Sequence, residues 1–218
     1  MRTWSAEIAA TGALRGRSVR LRVLAGTTAA GQLRLEGVAP FGAPVFVLAA
    51  TERTATLWLP RESSAVREQP TADVMDALLG IGLSGPAVHA LLTGCATSSG
   101  AAANGQTYGT EWASVDVGGE GTVFLRKIAG AWRIAAASVR GIRIGYDGFE
   151  GGVPRLIRVT AVEESLSRSV RLQLRLSQVE ENVPLPPDTF VVDVPDSAEG
   201  LSLDGLRQRG LDSGSTSR

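Results

Sequence analysis

The chain has 218 residues, of which 44% are hydrophobic and 20% are charged, a composition typical of folded globular proteins and unlike that of disordered segments. Basic and acidic residues number 22 each, and the arginines are scattered along the predicted strands, so no nucleic acid partner is expected. Cys95 is the single cysteine, which excludes an internal disulfide and any zinc site built on paired thiolates.

No apolar run reaches the roughly 18 residues that a membrane-spanning helix needs, and the first residues lack the apolar region of a secretory leader. The chain as it stands is therefore expected to be soluble. It could be cytosolic, or it could be a mature form from which a leader has been removed, with or without an anchoring lipid. Both possibilities stay open at this point.

Apolar and polar residues alternate with the period of a strand around Val19, Leu21 and Val23, around Leu33 and Leu35, and from Val170 to Leu176. Further candidates, bounded by turn residues, lie at residues 4–14, 43–50, 54–60, 110–117, 121–128, 131–138, 153–163 and 189–194. Most are not separated by helical stretches, so about ten or eleven antiparallel strands and a mainly β (α+β) fold are expected.

Two short helices are predicted in residues 71–95. Thr71 is expected to cap the first, whose Val74/Leu78 and Met75/Leu79 pairs share one face. Ser84 or Gly85 is expected to cap the second, with Pro86 at its start and an apolar stripe that ends at Cys95. Each apolar stripe is expected to pack against an apolar surface, and the large apolar surface available is one face of the sheet.

Residues 96–108 are expected to form a loop, and residues 201–208 could form a helical turn that packs back onto the domain. One domain is predicted over residues 1–208, with the helical segment 71–95 as its lid. Residues 209–218 are expected to form a disordered tail.

The residues that could carry catalysis favour structural roles. Gly80–Gly85 spell a dinucleotide-binding pattern, but a helix rather than a strand precedes them, so a helix–helix turn is expected. Ser84 does not form a nucleophile elbow, His89 is predicted at the helix surface, and Cys95 is predicted to be buried. We therefore expect no enzyme, no metal site and no cofactor.

Phe41 is unusual because it stands at the apex of a tight turn formed by Pro40, Phe41 and Gly42. An exposed phenylalanine there is costly unless it dips into a membrane or a partner. From the residues alone, burial under the sheet is the favoured interpretation, and membrane contact is the alternative.

The segment from Trp4 to Cys95 contains, in order, a strand, the Pro-Phe-Gly turn, a strand pair, and a helix, glycine-rich turn and helix ending in Leu-Leu-Thr-Gly-Cys. This order resembles the lipoprotein-localisation family, the LolA/LolB superfamily, and within it the LolB-like outer-membrane receptors. The similarity resumes at residues 152–157 and 168–180. Residues 187–194 are more similar to the late strand of the soluble LolA-like carriers.

The resemblance implies an incomplete antiparallel β-barrel under a short helical lid, whose inner face binds lipoprotein acyl chains without catalysis. It also implies a membrane-insertion loop at Pro40, Phe41 and Gly42. The residues expected to contact lipid are apolar positions of the early strands and the two helices, namely Leu21, Val23, Leu33, Leu35, Phe46, Leu48, Leu57, Leu59, Met75, Leu78, Leu91 and Leu92.

The expected function is therefore that of a receptor that receives and inserts lipoproteins at the periplasmic face of the outer membrane, lipid-anchored in its full-length form. The alternatives are a soluble periplasmic carrier and an envelope scaffold module without a cavity. Expected partners are acyl chains or lipid, a periplasmic carrier protein and the membrane surface, and the protein is expected to be a monomer.

Overall fold

The computed structural model describes residues 2–38, 44–95, 104–118, 121–161 and 169–209. The predicted insertion loop at Pro40, Phe41 and Gly42 lies outside these residues, and so do residues 210–218 of the predicted tail. Within the described ranges, no helix has the length and hydrophobicity of a transmembrane span.

Fourteen strands in the described ranges form one sheet. They are β1 Thr3–Leu14, β2 Arg17–Thr28, β3 Leu33–Val38, β4 Phe46–Ala50, β5 Thr54–Leu59, β6 Ser64–Pro70, β7 Gly105–Tyr108, β8 Trp112–Asp116, β9 Gly121–Ile128, β10 Ala131–Val139, β11 Ile142–Asp147, β12 Leu156–Ala161, β13 Val170–Glu181 and β14 Glu199–Gly200. The helices are α1 Thr71–Leu79, α2 Gly85–Thr93 and α3 Leu203–Arg209, and 3-10 turns lie at Pro60–Glu62 and Pro187–Phe190.

The strand order across the sheet is β14-β6-β5-β4-β3-β2-β1-β13-β12-β11-β10-β9-β8-β7, and the pairs are antiparallel except for the parallel pair of β14 with β6. The fold is therefore a large open antiparallel sheet with short helices, which confirms the predicted mainly β fold, an incomplete barrel with a helical lid. It has more strands than the ten or eleven that were predicted, because β6, β7, β11 and β14 were not among them. Of these, β7 and β14 are short and carry little alternation.

The topology explains where the helices lie. The chain builds one side of the sheet from β1 to β6, and then continues through α1 and α2 to β7 at the opposite edge. It returns strand by strand to β13, which pairs with β1 in the middle of the sheet. The two helices therefore connect the two sides of the sheet. We call the face that they cover the inner face.

The core lies between the early strands and the helices. Alternate residues of β1 are buried, as the period-two pattern requires, with Trp4 at 1% exposure. Leu48 and Leu57 of the sheet and Val74 of α1 are 0% exposed and belong to the same apolar cluster. The helices are therefore held in place mainly by apolar burial.

Three local predictions need correction. Thr71 does not cap α1, because Pro70 occupies the capping position and the Thr71 hydroxyl donates to the carbonyl oxygen of Thr51 (3.5 Å). The predicted strand at 189–194 is replaced by the 3-10 turn at Pro187–Phe190, since consecutive prolines favour a turn there. Of the predicted loop 96–108, residues 96–103 lie outside the described residues, and Gly105–Tyr108 form β7, which is stabilised by pairing with β8.

Candidate ligand-binding cleft

The turn between α1 and α2 is built by glycine and serine. Gly80 ends α1 with a positive φ of 79°, a conformation that glycine adopts without strain. Ser84 begins α2, and its Oγ accepts a hydrogen bond from the backbone N–H of Ala87 (3.4 Å). The predicted serine cap and the helix–helix turn are both confirmed, and the dinucleotide-loop interpretation has no structural support here.

Two close contacts fix helix α2 against β2 and the β2–β3 turn. His89 is 7% exposed, and its Nδ1 lies 2.6 Å from Oγ1 of the buried Thr27 in β2. A β-carbon at Gly85 would overlap the carbonyl oxygen of Gly31, so this end of α2 packs directly against backbone. The prediction that His89 lies at the helix surface is wrong, because the side of α2 that carries His89 packs against β2. Burial lowers the pKa of His89.

A cleft of about 550 Å³ lies on the inner face beside these helices. The α1–α2 turn and the adjoining helical side chains form one wall, and strands β9 to β11 form the other. The helical wall includes Ala72, Asp76, Ile81, Leu83, Ala87, Ala90 and Leu91, and the strand wall includes Val123, Ile134, Ala137, Val139, Ile142, Ile144 and Tyr146.

The register of the sheet brings the strand wall together. Ala137 of β10 is paired with Val123 on one side and with Ile144 on the other, and Val139 is paired with Ile142. Because paired residues point to the same face, these side chains form a continuous apolar surface. The intervening Ser138 and Arg143 are exposed.

Polar groups at the cleft are few. Asp76 and Arg140 are the charged residues among its described lining, and Asp76 also forms an ion pair with Arg207 of α3 (3.1 Å). Burial, and after it the nearby Cys95, raises the pKa of Tyr146 far above its ordinary value. The Tyr146 phenol is therefore neutral at physiological pH. The cleft can therefore hold an apolar ligand.

Cys95 also lines the cleft but is exposed, so the prediction of a buried thiol is wrong. The reason is local, because α2 ends at Thr93 and Gly94 adopts a positive φ of 69°. The chain therefore turns before Cys95 can continue the helical stripe. Among the described residues, no group of His, Cys, Asp and Glu side chains is placed to hold a metal ion.

Of the residues predicted to contact lipid, Leu91 lines this cleft. The others belong to the core, or pack against it, on the inner face. Fully or almost fully buried are Leu33, Phe46, Leu48, Leu57, Leu59, Met75, Leu78 and Leu92, whereas Leu21, Val23 and Leu35 are half-buried.

The residues of the strand wall were not among the predicted lipid contacts, although residues 142–146 show the pattern of a strand with one apolar face. Ile142, Ile144 and Tyr146 alternate there with Arg143 and Gly145. The strand that these residues form, β11, was not predicted.

No protein-family model matches the sequence, and no similar sequence is found among curated proteins. Among solved structures, a LolA superfamily protein from Nitrosomonas europaea superposes with a TM-score of 0.57 and 13% identity, over 88% of this chain and 90% of that chain. A DUF1329 family protein from Desulfovibrio piger superposes with a TM-score of 0.52 and 11% identity, over 87% of this chain and 90% of that one. The chain therefore shares the fold of a LolA superfamily protein.

Proposed function

We propose that this protein binds an acyl chain of a lipoprotein or lipid in the cleft, without catalysing a reaction. The main support for acyl-chain binding is an apolar cleft of about 550 Å³ between the helical lid and the strand wall. This size lies within the roughly 300–1,000 Å³ of small-molecule sites. Each methylene group that enters the cleft contributes about 0.8 kcal/mol of favourable transfer free energy.

The shared fold supports a lipoprotein-handling role, and the resemblance of the sequence adds the finer proposal. That proposal is a LolB-like receptor, lipid-anchored at the periplasmic face of the outer membrane, which accepts acyl chains from a periplasmic carrier. A soluble LolA-like carrier is the alternative. The intact mass of the mature protein isolated from its own cells separates them, because a lipid-modified N-terminal cysteine supports only the receptor.

The predicted lipid contacts of the early strands are compatible with this proposal if the helices can move. Leu48 and Leu57 lie beneath α1 and α2, so an acyl chain reaches them only if the helices move away from the sheet. We propose that ligand binding begins in the cleft, at Leu91 and the strand wall, and that the helices act as a lid over the remaining apolar surface.

Titration with a fluorescent fatty acid, cis-parinaric acid, tests the proposal. The wild-type protein should show saturable binding, and Ala137→Trp, which fills the cleft, should weaken binding by at least about tenfold, or about 1.4 kcal/mol. Ser138→Trp is the matched control, because Ser138 is the neighbouring residue on the opposite face and is exposed.

Binding by Ser138→Trp should equal that of the wild type. Absence of saturable binding in the wild-type protein would favour the scaffold alternative. Wild-type binding by Ala137→Trp would show that the probe binds elsewhere. Circular dichroism and thermal unfolding should confirm that both variants are folded.

A further inference from the structure

The outer face of the sheet, opposite the helices and the cleft, carries a cluster of arginines. Successive residues of a strand point to opposite faces of the sheet. In β2, β11, β12 and β13, many of the residues on the outer face are arginines. We define the basic outer face as Arg20, Arg22, Arg143, Arg158, Arg171 and Arg175, all of which are exposed.

The strand register places these arginines close together. Arg171 and Arg143 are both paired with Thr160 of β12, so they share one row across the sheet. Arg20 and Arg158 lie on the next row, which they share with Thr11 and Gln173, and Arg22 and Arg175 lie on a third row, on either side of Ala9. From ordinary strand spacing, the patch measures about 19 by 14 Å across five strands.

The charge of this patch is only partly balanced. Arg22 forms an ion pair with Glu7 (2.8 Å), and Arg158 lies 3.9 Å from Asp147. Within the described part of the chain, Arg20, Arg143, Arg171 and Arg175 have no ion-pair partner. A chain with a net charge of zero therefore presents a locally positive surface.

Aromatic side chains extend the same face toward the β7 edge. Phe124 is 38% exposed and shares the row of Arg158 through Gly145 and Ala136. Trp112 is 42% exposed, and the Arg126 guanidinium lies 5.5 Å from the centre of its indole ring. Exposed aromatic rings beside basic groups are typical of surfaces that contact the headgroup region of a bilayer.

We propose that the outer face docks on the anionic headgroups of a lipid membrane. Positive charge complements the headgroups, and the exposed rings of Trp112 and Phe124 suit the interfacial region of a bilayer. Because the cleft lies on the opposite face of the sheet, docking leaves it open to a ligand. Membrane docking by the basic outer face and ligand binding in the cleft therefore depend on different residues.

Vesicle co-sedimentation with the intact chain tests this proposal. The protein should bind vesicles of phosphatidylcholine mixed with phosphatidylglycerol, should bind pure phosphatidylcholine vesicles much more weakly, and should dissociate as salt is raised. The double variant Arg143→Gln/Arg171→Gln should lower the partition coefficient about fivefold for each arginine removed.

The matched control is Arg53→Gln/Arg61→Gln, which removes two exposed arginines that lie outside the patch, in the β4–β5 turn and the adjacent 3-10 turn. Binding to mixed vesicles should be unchanged in this control, and cis-parinaric acid binding should be unchanged in both double variants. Equal loss in the two double variants, equal binding to neutral vesicles, or binding to duplex DNA but not to mixed vesicles would each overturn the proposal. Loss of fatty-acid binding in Ala137→Trp with vesicle binding retained would support it.

Discussion

His89 links helix α2 to strand β2 from a buried position. Its Nδ1 lies 2.6 Å from the Thr27 hydroxyl, and both side chains are buried. A charged imidazolium would have to be desolvated there, so burial lowers the pKa of His89 below its ordinary value near 6.5. The neutral imidazole is therefore the form that the fold prefers.

This preference predicts a pH dependence of stability. In the unfolded chain His89 takes up a proton as the pH falls below about 6.5, whereas in the folded protein it resists protonation to a lower pH. The free energy of unfolding should therefore be greatest above about pH 6.5 and fall as the pH decreases toward the folded pKa. Urea unfolding at about pH 7.5 and 5.5 measures the difference.

His89→Asn is the matched variant, since its amide can still reach Thr27 but does not titrate in this range. It should show a smaller loss of stability between the two pH values than the wild type. A loss of the same size in both proteins would assign the pH dependence to other groups.

The helical lid is positioned by close backbone contact as well as by its leucines. Gly85 in the first turn of α2 faces the carbonyl oxygen of Gly31, and Pro86 packs against Gly31 itself. At the other end of the lid, the Arg15 guanidinium donates to the carbonyl oxygens of Asp76 and Arg207, which ties α1 and α3 to the β1–β2 turn. The lid therefore has a defined position on the sheet.

Gly85→Ala should push α2 away from the β2–β3 turn. We expect a loss of about 1–3 kcal/mol of stability from the added β-carbon, measured by urea unfolding. Gly82→Ala is the control, because a β-carbon there makes only ordinary contacts, the nearest with the Ala72 carbonyl oxygen at 3.5 Å. If the two variants were equally stable, the close approach of α2 to Gly31 would be disproved.

Across the whole molecule, the helices cover the early strands of the inner face more fully than they cover β9 to β11. The early strands contribute the residues that are buried under α1 and α2, whereas β9 to β11 face the cleft. A ligand in the cleft would therefore contact the lid and the less covered side of the sheet at once. Such a ligand binds the folded state but not the unfolded chain, and so should stabilise the entire fold.

Thermal unfolding with cis-parinaric acid tests this expectation. At a ligand concentration about 100 times the Kd, the free energy of unfolding should rise by about 2.7 kcal/mol. For a chain of 218 residues, this corresponds to an increase in Tm of roughly 5–11 °C. Ala137→Trp should show little increase at the same concentration, and a shift equal to that of the wild type would contradict binding in the cleft.

Local patterns in the sequence determined the mainly β class, most strand positions, and the two helices with the Ser84 cap and the turn between them. These features depend on alternation, capping and glycine conformations, which involve residues close together in the chain. Tertiary structure alone decided which apolar residues form the core and which line the cleft. Leu33 and Leu57 show the same alternation as Ile142 and Ile144, and only the path of the helices across the sheet distinguishes the two pairs. Tertiary structure also decided that His89 is buried and that arginines scattered in the sequence lie near one another on the outer face. Arg20 and Arg171, for example, are paired with neighbouring positions on opposite sides of β1.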